Sequence, residues 1–277
     1  MSKYRLIALD IDGTLLNSKK QVAPDTLEAV RRAAAAGITV VFCTGRAVSE
    51  LEEFYGLLPE IRYAVFASGS GLYDIQKREA FSLRGIPRTQ AEEIMALAGT
   101  KDLMPQIVLA DRDVIQSSHM DDLDHYHMGI YRPLYQRAMT LTPDIFAFFR
   151  ACRDEILKIN MYHADRLERI RTRAQLEHLQ MEKVYSEVSS LECSALGVNK
   201  GTGLLRLCDA LGIERAASAA VGDAENDIPM LQMAGLGVAM GNGTDAVKNA
   251  ADRVVADMDH GGCAEAIEMI LQDTARV

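Results

Sequence analysis

The sequence predicts an α/β protein: a doubly wound parallel sheet interrupted by an inserted α+β domain. Three observations carry that reading. Short apolar runs alternate with stretches of helical length through residues 1–83 and again through 192–277. Several of these runs stop at Asp, Gly, Thr or Ser, as strands do at the crevice edge of an open sheet. Residues 84–191 keep strands and helices but lose those polar strand ends, so they read as a separate insertion.

Leu6-Ile7-Ala8-Leu9 is a continuous apolar run, the pattern of a strand buried on both faces. It ends in Asp10-Ile11-Asp12-Gly13-Thr14. Alternate residues of an extended chain share a side, so Asp10 and Asp12 can converge. Two such acids repel and raise one pKa, which a hard divalent cation such as Mg2+ relieves. An Asp-Gly turn with Asp12 as a cap is the plain structural alternative. Pro24 opens a helix through Ala36, with Gly37 as its stop. Ile38–Cys43 is the next strand; it ends in Thr44-Gly45-Arg46 and a helix over Val48–Leu57 follows. A hydroxyl, an unhindered N–H and a guanidinium at a helix start suit an anion, although an N-cap threonine explains Thr44 equally well. Tyr63–Ala67 is a third strand leading to Ser68-Gly69-Ser70-Gly71, a turn that could also cradle an anion, and then to extended pieces over Leu72–Ile75 and Glu79–Leu83.

Inside the insertion, Thr89–Ala98, Pro143–Arg150 and Ala164–His178 read as helices, and Gln106–Ala110, Val114–Ile115, Ile156–Met161 and Lys183–Val188 as strands. His119, Asp121, Asp122, Asp124, His125 and His127 cluster in sequence, but their spacing matches no defined metal site and reads as a solvated polar loop. The first rhythm returns at Asn199-Lys200-Gly201. A helix with Leu204, Leu207, Cys208 and Leu211 on its apolar face ends at Gly212, and strand Ala219–Val221 ends in Gly222-Asp223-Ala224-Glu225-Asn226-Asp227. Helix Ile228–Ala234, strand Gly237–Met240, helix Thr244–Ala251, a short strand over Arg253–Ala256 and a last helix complete the chain.

Bulk composition narrows the function classes. The 277 residues are 48% hydrophobic and 25% charged, an ordinary globular mix. A net charge of -9 disfavours wholesale binding to nucleic acid or an anionic membrane, and no apolar stretch is long enough to span a bilayer. Met1 to Arg5 lead straight into the first strand without the pattern of a signal peptide. Cys43, Cys152, Cys193, Cys208 and Cys263 are odd in number and lack CxxC spacing, which fits structural thiols in a reducing cytoplasm.

Strand ends and helix starts thus supply one inventory: Asp10 as nucleophile, Asp12 as acid and base, Thr44 and Lys200 for phosphate oxygens, Asp223 for a cation. Phosphoryl transfer needs these parts. Lys200 could equally be a surface lysine, and Asn226 and Asp227 caps of the next helix. At this point the chain resembles the haloacid dehalogenase superfamily, and within it the Cof-type phosphatases with a type IIB cap. Asp10-Ile11-Asp12-Gly13-Thr14-Leu15-Leu16, Thr44-Gly45-Arg46, Asn199-Lys200-Gly201 and Gly222-Asp223-Ala224-Glu225-Asn226-Asp227-Ile228-Pro229-Met230-Leu231 resemble its motifs I to IV, and Val238-Ala239-Met240-Gly241-Asn242 also matches the subfamily. Only about thirty residues separate Asp12 from Thr44, too few for a folded cap there. Ser68-Gly69-Ser70 departs from the Asn-Gly-Ala of many relatives.

The resemblance implies a Rossmann-like core over 1–83 and 192–277, and a cap over 84–191 that sets specificity. It implies a cytoplasmic, Mg2+-dependent phosphatase acting on sugar phosphates or similar small phosphorylated metabolites. Asp10 would become an aspartyl phosphate, and Asp12 would protonate the leaving oxygen and then activate water. Mg2+ would be held by Asp10, Asp223 and Asp12 (through its side chain or the adjacent backbone), with Asp227 supporting. Thr44, Gly45, Lys200, Asn226 and the Ile11 backbone would cradle the phosphate. A phosphomutase or phosphotransferase of the same fold shares these motifs, and a non-catalytic phosphometabolite-binding module is the alternative of a different class. The motifs leave the oligomeric state open.

Overall fold

Each Asp- or Gly-terminated apolar run forms a strand, and most reach the edge of one sheet. The structure, a computed structural model, describes residues 3–275; Met1 and Ser2, expected to lead into the first strand, lie outside the described residues. In chain order the strands are β1 (Leu6–Leu9), β2 (Thr39–Cys43), β3 (Tyr63–Phe66), β4 (Gly71–Asp74), β5 (Glu79–Leu83), β6 (Leu103–Val108), β7 (Asp113–Gln116), β8 (Thr140–Thr142), β9 (Lys158–His163), β10 (Met181–Val184), β11 (Ser190–Ala195), β12 (Ser218–Gly222), β13 (Leu236–Ala239) and β14 (Arg253–Val254). They form an eight-stranded sheet ordered β14-β13-β12-β1-β2-β3-β4-β5 and a six-stranded sheet ordered β10-β11-β9-β6-β7-β8.

The first sheet is parallel from β14 through β3 and turns antiparallel at β4. The chain runs outward from β1 to β3, then returns to the other side of β1 as β12. That reversal makes β1 the switch-point strand, where open α/β sheets bind their ligands. All four residues of β1 are fully buried, as its unbroken apolar run requires. Leu6 and Ala8 pack with Val41, Leu204 and Leu207, so one face of the sheet is covered by the helix Lys200–Leu211. That helix starts where Asn199 Oδ1 accepts from the Thr202 N–H at 3.0 Å, and it stops at Gly212, whose φ of 63° suits a residue without a Cβ.

The chain divides into two compact units. One comprises residues 3–45, Glu53–Ser82 and 199–275; the other comprises Arg46–Glu52 and Leu83–Val198. The second contains the six-stranded sheet, and strand alternation gives that sheet two unlike faces. Ile107, Ile159, Leu191 and Cys193 pack with Ile94 and Phe149 in an apolar core. Gln106, Lys158, Asn160 and Glu192, their neighbours along the same strands, are also buried, and they are joined by hydrogen bonds and an ion pair.

Three expectations change. The strand expected over Lys183–Val188 runs over Met181–Val184 instead. The insertion extends beyond Leu191 to Val198, because β11 pairs with both β9 and β10. The helix expected over Val48–Leu57 is a 3-10 turn, Val48–Leu51, in which Ser49 Oγ donates to Asp113, followed by one short helical turn, Glu52–Tyr55. The central position of β1 yields a prediction. Ile7→Ala should lower stability by ~2–5 kcal/mol and Leu167→Ala, at 61% exposure, by less than ~0.5 kcal/mol, read from urea unfolding. Equal midpoints for the two variants would contradict the placement of β1 at the centre.

Candidate active site

The site begins where β1 ends. The Asp10 N–H still donates to Val221 O at 3.0 Å, so its carboxylate leaves from the carboxyl end of the switch-point strand. Strand register gathers the other segments. Leu9 lies opposite Phe42 of β2 and Val221 of β12, which brings Thr44 and Asp223, each two residues further along, to the same edge.

Lys200, the first residue of its helix, ties these ends together. Its Nζ donates to Asp10 Oδ1 and to Asp227 Oδ1, both at 2.6 Å, and all three side chains are buried. The other Asp227 oxygen accepts from the N–H groups of Asp223 at 3.0 Å and Ala224 at 2.9 Å, which fixes the turn after β12. Asp223 Oδ1 accepts from Thr14 Oγ1 at 2.8 Å, and its Oδ2 accepts from Asn242 Nδ2 at 3.1 Å. Asn242 Nδ2 also donates to Gly13 O at 2.9 Å. Gly13 is required here: its φ is 86°, and a Cβ would sit 2.3 Å from Asp223 Oδ2.

Carboxylate oxygens of Asp10, Asp223 and Asp227 lie within 4.8 Å of one another, the single such group of three metal-ligating side chains among the described residues. Three carboxylates and one ammonium leave two negative charges uncompensated when all are ionised. The donor set is all oxygen, so a hard divalent cation fits both its charge and its chemistry. Asn226 adds an unused group: its Oδ1 is buried without a hydrogen-bond partner.

The other candidate residues fall as follows. Asp12 lies outside the three-carboxylate group; its Oδ1 pairs with Lys20 Nζ at 2.9 Å. Ile11 is fully buried and its carbonyl accepts from the Leu16 N–H at 2.9 Å. Thr44 is buried at the end of β2, donating its N–H to Val65 O at 2.9 Å and accepting at its carbonyl from the Ser68 N–H at 3.0 Å. Gly45 follows it, half-buried. Ser68, Gly69 and the preceding Ala67 all have positive φ, so the Ser-Gly-Ser stretch is a strained buried turn fastened to Thr44. The histidine-rich loop makes separate contacts: His125 Nε2 bonds Asp102 Oδ2 at 2.8 Å and His127 Nε2 bonds Ala164 O at 3.0 Å. Thr14, Asn242 and Lys20 are partners of site carboxylates to which the sequence reading gave no role. The first two stand within recognised motifs, a usable signal; Lys20 carries none.

Burial would lower the Lys200 pKa, but the carboxylates of Asp10 and Asp227 outweigh it and raise the value, so Lys200 is an ammonium. Burial, then the Asp227 charge, push Asp10 well above the usual carboxylate range, against the pull of Lys200. Burial and Asp227 likewise push Asp223 up to about 7, opposed by the Thr14 hydrogen bond and Lys200. Burial raises the Cys43 thiol, which therefore remains protonated and makes a poor nucleophile.

Asp223 gives the site a pH signature. Its ordinary value is 3.8 and its folded value about 7, so the folded chain keeps a proton that the unfolded chain loses first. The resulting stabilisation is complete below about pH 4 and is lost as pH rises through about 7. In chelator, the unfolding free energy of the parent should decline over that window, and Asp223→Asn should flatten part of the decline. Superimposable pH profiles for parent and variant would contradict the assigned environment.

Comparison with known proteins identifies the family. A family model described as haloacid dehalogenase-like hydrolase matches residues 7–267. The chain is 29% identical over 259 residues to pyridoxal phosphate phosphatase YbhA of Escherichia coli (strain K12), covering 91% of this chain and 93% of that protein. It is 28% identical over 275 residues to 5-amino-6-(5-phospho-D-ribitylamino)uracil phosphatase YcsE of Bacillus subtilis (strain 168), covering 95% and 94%. A crystal structure of a haloacid dehalogenase-like hydrolase from Bacteroides thetaiotaomicron superposes with a TM-score of 0.83 at 29% identity, over 97% of this chain and all of that one. With its motif-bearing strand ends gathered at the edge beside β1, and with a family match over nearly its whole length, this chain belongs to the haloacid dehalogenase-like hydrolases.

Proposed function

We propose that this chain, a phosphoric monoester hydrolase of that family, hydrolyses small phosphomonoesters, sugar phosphates among them, with Mg2+ as cofactor and Asp10 as nucleophile. The observation that carries the reading is the buried bridge from Asp10 through Lys200 to Asp227, beside Asp223. It supplies an oriented nucleophile, a fixed positive charge and a carboxylate cage in one place. Two relatives are named for different phosphorylated compounds, which supports the reaction class and leaves the leaving group broad.

The residues divide the work as follows. An Asp10 carboxylate oxygen attacks phosphorus while the bond to the leaving oxygen breaks, and Asp12 gives that oxygen a proton. Asp12, now a carboxylate, takes a proton from water; the water oxygen attacks phosphorus, inorganic phosphate departs and Asp10 is restored. Asp12 must exchange its Lys20 partner for substrate to act in this way. Lys200, Thr44, Gly45, Asn226 and the Ile11 backbone would hold the phosphoryl oxygens, with Lys200 keeping Asp10 aimed. Asp10, Asp223 and the backbone beside Asp12 would hold Mg2+, with Asp227 fixing the Asp223 turn. Bound there, the cation supplies charge neutralisation for an anionic substrate meeting an anionic nucleophile. Selection of substrate belongs in this proposal to residues 84–191, which contain none of these groups. Placement in the cytoplasm rests on five buried free cysteines, as expected in a reducing compartment.

The test is to mix the parent, Asp10→Asn and Asp12→Asn with an activated aryl phosphate, with Mg2+ or with excess chelator, and to locate the added phosphoryl group by mass spectrometry. In Mg2+, label should accumulate on Asp10 in Asp12→Asn and be absent from Asp10→Asn; chelator should abolish both label and phosphate release. Label retained in Asp10→Asn, or full turnover in chelator, would remove the mechanism. Quantifying released phosphate against phosphorylated acceptor separates hydrolysis from transfer.

A further inference from the structure

Asn242 carries the one side chain of Gly241-Asn242-Gly243, in the loop after β13, and it reaches three other segments of the same compact unit. Its Nδ2 donates to Gly13 O at 2.9 Å and to Asp223 Oδ2 at 3.1 Å, and its Oδ1 accepts from the Met258 N–H at 2.9 Å. All three partners lie 16 or more residues away, so the side chain joins loops instead of turning its own. The backbone beside it packs closely. A Cβ at Gly241 would sit 2.8 Å from Asp257 N, and one at Gly243 would sit 3.0 Å from Asp223 O. Glycine on both sides permits the approach that brings the amide within reach of its partners.

The direction of the amide is set by its neighbours. The Met258 N–H only donates, so it must face the amide oxygen; the Gly13 carbonyl only accepts, so it must face the amide nitrogen. With those two bonds made, the second N–H of Nδ2 falls to Asp223. The consequence lies in the Asp223 carboxylate. Its terminal torsion is broad and would leave the plane of the group loosely set. Thr14 Oγ1 donates to Oδ1 at 2.8 Å from one side, and Asn242 holds Oδ2 from the other. Each oxygen keeps a further lone-pair site for a second partner.

We propose that Asn242 is a positioning residue for Mg2+ binding: it fixes the plane of the Asp223 carboxylate and holds the Gly13 loop against it. This rests on the reading of Asp223 as a Mg2+ ligand. Groups that orient a metal-ligating side chain typically govern metal affinity by ten- to a hundredfold. Asn242 is exposed, and water competes for its bonds, which puts the effect at the lower end.

The experiment uses the full chain. Mg2+ affinity is read from the metal-dependent rise in unfolding free energy over each variant's own value in chelator. The chains are the parent, Asn242→Ala, Asn242→Leu, Asp259→Ala and Asp223→Asn. Asp259 Oδ1 accepts from the N–H and the Oγ of Ser18, at 3.0 Å and 2.8 Å, so it tethers the loop that begins at Gly13 without touching Asp223. Asn242→Ala should weaken Mg2+ binding about tenfold, and Asp259→Ala should leave it at the parental value. Asn242→Leu keeps most of the volume and removes the donors; it should match Asn242→Ala and carries the test if that variant does not fold. The deficit of Asn242→Ala in p-nitrophenyl phosphate turnover should shrink as Mg2+ is raised, which a general loosening of the fold would not produce. Parental Mg2+ affinity in a folded Asn242 variant, or an equal loss in Asp259→Ala, overturns the inference. If Asp223→Asn loses Mg2+ while the Asn242 variants do not, positioning is wrong and the metal role of Asp223 stands. If Asp223→Asn also keeps parental affinity, the ligand assignment beneath the inference fails as well.

Discussion

One buried ammonium holds the site together. Lys200 meets Asp10 and Asp227 at 2.6 Å each, in surroundings almost closed to water. Without it, Asp10 and Asp227 would face each other as like charges in a medium that screens poorly. Each partner also has a task outside the bridge. Asp10 ends the switch-point strand, and Asp227 caps the backbone N–H groups of Asp223 and Ala224. Lys200 thereby ties a strand end, a helix start and a turn to one point. The same bridge leaves the carboxylates in excess, so the cluster is both cohesive and electrostatically incomplete.

The fold explains why such a bridge forms here. Parallel strands deliver their carboxyl ends to one edge, and the reversal of strand order around β1 opens space beside Asp10. Close approach then depends on residues without a Cβ. Gly13 allows its loop to lie against Asp223, and Gly69 lies where a Cβ would meet Asn199 O at 2.1 Å, next to the start of the Lys200 helix. In this way backbone geometry, rather than flexible side chains, sets the distances on which the chemistry depends.

Much of this was legible because strand ends in a parallel sheet announce themselves. Asp10 and Thr44 follow an apolar run directly and Asp223 follows one after a single glycine, so run and polar residue together mark both element and edge. Lys200 was legible only through the motif around it; nothing in one lysine's sequence context distinguishes a buried bridge from a solvated surface. The pairing of Lys20 with Asp12 depends on the turn between them, where Lys20 has a φ of 57°, and residue type does not encode that geometry. The strand Ser190–Ala195 was not expected because only Leu191 and Cys193 are strongly apolar, and its polar partners are buried by a hydrogen-bonded sheet face. The departure of Val48–Leu51 from the expected helix has a similar cause: a tertiary contact, Ser49 to Asp113, competes with local helical preference.

Lys200 is the charge that makes the cluster tenable, so its removal is the most direct test. Unfolding free energy of Lys200→Met should be measured in metal-free buffer and across a Mg2+ titration. Leaving the buried carboxylates uncompensated should cost roughly 3–5 kcal/mol, and Mg2+ should recover more stability in the variant than it adds to the parent, since the cation supplies the missing positive charge. A Lys200→Met chain as stable as the parent without metal, and indifferent to Mg2+, would contradict the claim that this bridge holds the site together.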